Sequence, residues 1–292
     1  MMLVMIFMIL PRASVAAHRI GEVLHTHPTI LDGTQASGDP ACPGQVEFRN
    51  VSFRYPDAEE YVLKDISFTA KRGETVAIIG STGCGKSTVV NLIPRFYDAT
   101  EGQVLVDGVD VREYDQRSLR NKIGYVSQKA TLFTGTIASN VAYGDNGEAP
   151  PSPADVQAAV ATAQAEDFVS HMEGGYEGYV AQGGANLSGG QKQRLSIARA
   201  IARKPEILLF DDAFSALDYK TDRVLRSALD QTCQNTTRII VAQRIGTIRD
   251  ADQIIVLDDG QIAGIGKHQD LMQTCGVYQQ IALSQLSKEE LA

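Results

Sequence analysis

Nine consecutive residues, "GSTGCGKST" (Gly80 to Thr88), carry the spacing Gly-x-x-x-x-Gly-Lys-Ser that binds nucleotide phosphates. Gly80, Gly83 and Gly85 let backbone N–H groups converge on phosphate oxygens with no Cβ in the way. Ser81, Thr82, Cys84 and Thr88 complete the expected cradle, and a following helix would add its dipole to the attraction. Lys86 should reach the terminal phosphates, and the Ser87 hydroxyl should ligate Mg²⁺. Cys84 reads as a small residue in the loop, and alkylating it should block the site.

A second stretch, "ILLFDDAFSALD" (Ile207 to Asp218), runs four apolar residues into two acids. A carboxylate at the tip of an apolar strand is placed to meet a metal. Asp211 is therefore the expected acidic contact to Mg²⁺, directly or through water. Asp212 poses a question, because chemistry at a phosphate favours a longer side chain at that point.

The elements that must position these groups are legible around them. "ETVAIIG" is a short, nearly continuous apolar run ending at glycine, as in a strand buried on both faces. "VEFRNVSFRY" and "VLKDISFTA" alternate apolar and polar residues, as half-buried strands do. From Pro151 to His171 the Ala-rich "PADVQAAVATAQAEDFV" has helical spacing, with Pro153 in a first turn. "SGGQKQRLSIARAIARK" reads as another helix, closed by Pro205. Strand at Ile207, helix after Asp218, strand at "TRIIVAQ", strand at "QIIVLDDGQIAGIG" and a terminal helix follow. Such alternation implies a mostly parallel sheet covered by helices.

Bulk properties bound the function. The chain of 292 residues is 43% hydrophobic and 21% charged, which suits a packed globular protein. A net charge of -8 argues against nucleic acid as a partner, since phosphate neutralisation needs a basic face. Cys42, Cys84, Cys233 and Cys275 lie far apart without a CxxC pair and read as free thiols. The chain opens on "MMLVMIFMIL", about half of the roughly 20 apolar residues a spanning helix needs. No positive residue precedes that run, as a secretory signal would require. The favoured expectation is the end of a truncated membrane helix, with Arg12, His18 and Arg19 emerging on the cytosolic side.

With "LSGGQKQR" (Leu187 to Arg194) added, the chain resembles the nucleotide-binding domain of ATP-binding cassette (ABC) transporters of the exporter type. The resemblance implies a P-loop NTPase fold of class α/β, with a mostly parallel core sheet, an antiparallel β subdomain and an α-helical subdomain at about 130–204. It implies 1–26 as the C-terminal part of a transmembrane helix with its cytosolic extension, 27–44 as linker, 45–286 as the ATP-binding domain and 287–292 as tail. Tyr55 in "FRYP" matches the aromatic that stacks on adenine. Gln128 in "YVSQKATLF" matches the glutamine that touches Mg²⁺ and water. Ser188, Gly189, Gly190 and Gln191 match the signature that closes over ATP held by the opposite subunit, and Ser188 to Gly190 open a helix, where an anion is welcome. Asp218, ending "SALD", belongs to the loop that communicates across the dimer. ATP and Mg²⁺ are the implied ligands, and a transmembrane domain is the implied partner.

Four residues depart from the resembling family, two of them in the nucleotide site. Asp212 stands where hydrolytic relatives carry the glutamate that polarises water. One methylene fewer withdraws the carboxylate by roughly 1.3 Å, given a C–C bond of about 1.5 Å. A displacement near 1 Å can cost on the order of 10²-fold in rate, within the 10²–10⁴-fold that general-base catalysis supplies. Gln243 stands where the family carries a histidine facing the γ-phosphate; it donates a hydrogen bond but cannot relay a proton. Gln182 and Gly183, before the signature, replace an acidic–basic pair. The expectation is a heterodimer with a second ABC half-transporter at the cytoplasmic face of the cell membrane. Its own site would be impaired, and its "LSGGQ" would complete the competent one. The alternatives are a homodimer in which Asp212 acts as a slow base, or a separate ATP-binding subunit of an importer. DNA-repair ATPases with a similar signature need long coiled-coil arms, and no sustained heptads occur between Thr88 and Leu187.

Overall fold

The computed structural model describes residues 2–285, so the tail expected at 287–292 lies outside the described residues. The chain divides into two units between Leu31 and Asp32. The first holds α1 (Met2–Leu24), one helix running through Pro11. Its Val4–Leu24 stretch is long and apolar enough to cross a membrane by length and composition. At 1.5 Å per residue that stretch rises about 32 Å, close to the roughly 30 Å of a hydrocarbon core. Val4, Phe7, Leu10, Ile20 and Leu24 are all exposed.

The second unit begins with a hairpin, β1 (Val46–Phe53) against β2 (Leu63–Ala70), followed by the buried β3 (Thr75–Gly80) and α2 (Lys86–Leu92). Then come β4 (Glu101–Val106), β5 (Val109–Asp110), α3 (Gln116–Asn121) and β6 (Ile123–Val126). Asp115 caps α3 by accepting from Ser118 N. The helical part contains β7 (Gly135–Thr136), α4 (Ile137–Val141), α5 (Pro153–Thr162), α6 (Glu166–His171), β8 (Tyr179–Val180) and α7 (Gly189–Ala202). The chain returns through β9 (Ile207–Asp211), α8 (Tyr219–Thr232), β10 (Thr237–Val241) and α9 (Ile245–Ile248). It closes with β11 (Gln253–Asp258), β12 (Gln261–Gly266), α10 (His268–Thr274) and α11 (Gly276–Gln285).

Six strands form the main sheet in the order β12-β11-β3-β10-β9-β6, parallel except at β12. Four more form an antiparallel sheet, β2-β1-β4-β5. Because side chains alternate faces along a strand, the main sheet feeds two cores. Val76, Ile78, Leu209, Ile239 and Val241 pack with Phe48, Phe53 and Ile66 of the antiparallel sheet. Ala77, Leu208, Phe210, Ile240 and Val256 face the other way, into a core shared with Val160 of α5 and Leu195 and Ala198 of α7.

Two expectations are corrected. "QIIVLDDGQIAGIG" is a hairpin, not one strand, because Asp259 and Gly260 both take positive φ (43° and 75°), the two-residue turn whose twist suits paired strands. The stretch from Pro151 to His171 is two helices, α5 and α6. Its helical run breaks where Gln164 enters the left-handed region (φ 56°).

The Pro- and Gly-rich stretch after α1 is strapped down from Gly33 onward. Gly33 N donates to Tyr114 O over 2.9 Å, and Asp39 N to Asp107 O over 2.8 Å. Gly44 N donates to Asp107 Oδ1 over 2.6 Å, while Gly44 O accepts from Thr237 Oγ1 over 2.6 Å. Buried Asp107 also pairs with Lys122 Nζ at 2.9 Å, and the same ammonium meets Glu206 Oε1 at 2.9 Å. Lys122, Glu206 and Thr237 sit at the starts of β6, β9 and β10, the three strands whose opposite ends approach the phosphate loop.

Candidate functional site

The phosphate loop leaves β3 at Gly80 and enters α2 at Lys86. Gly83 (φ 87°) has open space where a Cβ would stand, so only its backbone conformation demands glycine. Gly85 (φ 99°) is required twice, since a Cβ there would also meet Leu63 Cδ2 at 2.7 Å. Lys86 Nζ lies within the curl of the loop, donating to Gly80 O over 2.9 Å and Ser81 O over 2.6 Å. Cys84 is buried and unpaired, as is Cys275, and Cys42 and Cys233 are free thiols too.

Parallel register brings the ends of β9, β10 and β6 to this loop. Ser87 Oγ donates to Asp211 Oδ1 over 2.7 Å, joining the first turn of α2 to the tip of β9. Beyond it the backbone turns sharply: Asp212 takes φ 50°, a left-handed conformation that aspartate tolerates. Asp212 N donates to Val241 O over 3.1 Å, and Ser215 Oγ donates to Asp212 O over 2.7 Å. The Asp212 side chain thereby faces two amides. Gln243 Nε2 donates to Asp212 Oδ2 over 2.8 Å, and Gln128 Nε2 to the same oxygen over 3.1 Å. Burial pushes the Asp212 carboxyl above its ordinary pKa and the Asp211 charge adds to the rise, against the pull of the amide donors.

Gln128, Asp212, Val241 and Gln243 line a cleft of about 400 Å³ with Thr82, Gly83, Gly85, Lys86, Ser87, Thr88 and the half-buried Tyr55, and Asp211 reaches it through Ser87. Tyr55 OH is 2.9 Å from Thr88 Oγ1, and the ring stands edge-on to Phe53 and Tyr97. An aromatic wall at one end and a glycine loop at the other can accept a base and its phosphates. Ser87 Oγ and Asp211 Oδ1 offer adjacent hard oxygens to a divalent cation. Among the described residues no cluster of three His, Cys, Asp or Glu could hold a metal alone. Mg²⁺ is ordinarily bound through one or two carboxylates, with phosphate and water supplying the rest.

The signature is elsewhere. Ser188 caps α7 by accepting from Gln191 N over 3.3 Å, and Gln191 Oε1 accepts from Ser188 N over 2.8 Å. Ser188 and Gly189 are exposed, and neither they nor Gly190 and Gln191 line the cleft. Asp218 likewise stays outside it: its carboxylate caps α8, accepting from Thr221 N over 3.0 Å and Thr221 Oγ1 over 2.7 Å. Gln182 and Gly183 form a short exposed turn, with Gly183 at φ 63°.

Sequence reasoning missed Tyr125 and Arg244. The Tyr125 hydroxyl lies 3.3 Å from Asp211 Oδ2 and 3.0 Å from Asn91 Oδ1, and burial with the Asp211 charge raises its pKa. Its place three residues before Gln128, at the end of an apolar run, was an available signal. Arg244 donates to Leu217 O and Ser215 O, each over 3.2 Å, and so links the residue after Gln243 to the "SALD" loop.

A family model described as ABC transporter matches residues 63–215. An uncharacterized ABC transporter ATP-binding protein of Mycobacterium tuberculosis is 47% identical over 287 residues, covering 98% of this chain and 49% of that protein. An ATP-dependent lipid A-core flippase of Pseudomonas putida is 44% identical over 262 residues, covering 90% of this chain and 43% of the flippase. A solved structure of a bacterial Atm1-family ABC exporter with ATP bound superposes with a TM-score of 0.88 at 38% identity, over 98% of this chain and 50% of that one. The chain thus spans about half the length of the curated relatives it matches.

Proposed function

Because the chain belongs to the ABC transporter family, as an ATP-binding domain related to those of exporters, we propose that its own cleft binds ATP but hydrolyses it slowly, while its signature completes the cleft of a second half-transporter. Tyr55 takes the adenine, residues 80–88 take the phosphates, and Lys86 turns from its loop carbonyls to the terminal ones. Mg²⁺, held by Ser87, Asp211 and Gln128, would neutralise charge on the β- and γ-phosphate oxygens. Gln243 faces the γ-phosphate as a hydrogen-bond donor.

One observation carries the slow-hydrolysis reading: a single oxygen of Asp212 receives both the Gln243 and the Gln128 amide, at 2.8 and 3.1 Å. A carboxylate one methylene short, with one oxygen committed to two donors, is poorly placed to take a proton from water. The intact, exposed cap at Ser188 supports a role toward another subunit, since among the described residues it lies outside the cleft of the phosphate loop. On this reading α1 is the cytosolic end of a membrane helix, the domain sits at the cytoplasmic face, and ATP turnover in the heterodimer drives export through a transmembrane domain.

Vanadate trapping of the assembled complex with a photoreactive ATP tests the reading. Label is expected in the cleft opposite the one containing Lys86. Label chiefly on peptides around Lys86 overturns it and favours the homodimer with a slow base, a reading that the burial-raised pKa of Asp212 also supports.

A further inference from the structure

The last turn of α11 carries an exposed polar residue in line with the stripe that the helix buries. Tyr278 and Ala282 are fully buried and Ile281 packs beside them. Gln285 occupies the next position of that i, i+3, i+4, i+7 stripe. Its amide makes two bonds to the segment that follows β10. Nε2 donates to Gln243 O over 2.7 Å, and Oε1 accepts from Ile245 N over 2.9 Å. One side chain therefore holds the backbone on both sides of Arg244. The second bond also satisfies the first amide of α9, to which the Arg244 side chain gives no cap. The helix presenting Gln285 is itself pinned, with Tyr278 OH 2.7 Å from His268 Nδ1.

We propose that Gln285 is a positioning residue for nucleotide discrimination: from α11 it fixes the backbone of Gln243, and so sets the reach of the Gln243 amide into the cleft. The proposal rests on the reading that Gln243 faces the terminal phosphate. Loss of the clip weakens contact with the third phosphate and leaves the diphosphate contacts of residues 80–88 intact.

Titration of the full chain with the non-hydrolysable ATP analogue AMP-PNP and with ADP, both with Mg²⁺, tests this. Gln285→Ala should weaken AMP-PNP binding about three- to tenfold, the range that one lost hydrogen bond spans, and leave ADP binding unchanged. Gln243→Ala should do the same, and the double variant should lose no more. Gln285→Glu still accepts from Ile245 N but cannot donate to Gln243 O. It should match Gln285→Ala in AMP-PNP binding while keeping more of the thermal stability. Gln285→Ala lowering both nucleotides equally, or neither, while Gln243→Ala lowers AMP-PNP alone, overturns the clip and spares the reading of Gln243. An unchanged AMP-PNP to ADP ratio in Gln243→Ala overturns the phosphate-facing reading, and the clip with it.

Discussion

Gln243 Nε2 reaches Asp212 Oδ2 over 2.8 Å, bonding the loop after β10 to the acid just beyond β9. Both residues depart from the pattern that the sequence resembles, and here they satisfy each other. The pair has consequences for chemistry and for stability.

Converting both residues should restore turnover. In the assembled complex, Asp212→Glu with Gln243→His should raise the phosphate-release rate of this cleft on the order of 10²-fold, the scale set by reach and general-base catalysis. The partner's cleft should be silenced in that measurement. Asp212→Ala in the same background should change the small residual rate by less than about threefold. A large loss in Asp212→Ala would show that the aspartate is a working base.

The same carboxylate should cost stability when charged. Its folded pKa is raised by burial and by Asp211, so the folded state holds the proton more tightly than the unfolded chain, whose value is about 3.9. Stability from this group is therefore fully present below the unfolded pKa and lost as pH rises through the folded one. Asp212→Asn keeps an oxygen for the two amides and carries no charge. The melting temperature of Asp212→Asn minus that of the native chain should grow between pH 4 and pH 7. A pH-independent difference would contradict the raised pKa.

Local chemistry was the most readable part of the sequence. Gly80 to Thr88 run without a break from the end of β3 into the first turn of α2, so spacing alone marked the segment. The convergence of Gln128, Asp212 and Gln243 depends instead on parallel register among β6, β9 and β10, which no local pattern encodes. The β11–β12 turn was signalled by Asp259–Gly260, but the apolar residues on both sides resemble one continuous strand. The α5–α6 break hinges on one left-handed glutamine, a conformation that composition does not announce. Gln285 was invisible for a similar reason: its partners are backbone atoms some forty residues earlier in the chain.

Ser188 offers a separation between the two clefts. Ser188→Ala removes the cap of α7 and should cost about 1 kcal/mol of stability, read by denaturant unfolding of the chain. Nucleotide affinity at the Lys86 cleft should stay within twofold, because Ser188 does not line it. ATP turnover at the opposite cleft should fall by at least about tenfold if the signature closes on that ATP, as one lost charge-assisted hydrogen bond would allow. Equal loss at both clefts would refute the division of labour.

Lys122 should be the costliest surface-adjacent side chain to remove. Among the described residues it is the cation paired with Asp107, whose carboxylate is only 2% exposed. Burial raises the Asp107 pKa even with Lys122 present, so the pair is held at a cost and its one-sided loss is severe. Lys122→Ala should destabilise the domain by about 3 kcal/mol at neutral pH. Without the ammonium, the Asp107 pKa should climb further, and protonation then removes the uncompensated charge. The deficit should accordingly shrink as pH falls from 7.5 to 5.5, the sign required of an acid whose folded pKa is raised. Adding Asp107→Asn should recover much of the loss at pH 7.5 while Gly44 N keeps an acceptor. A deficit that stays constant with pH, or an Asp107→Asn change that deepens it, would show that Lys122 acts through packing of its stem and not through charge.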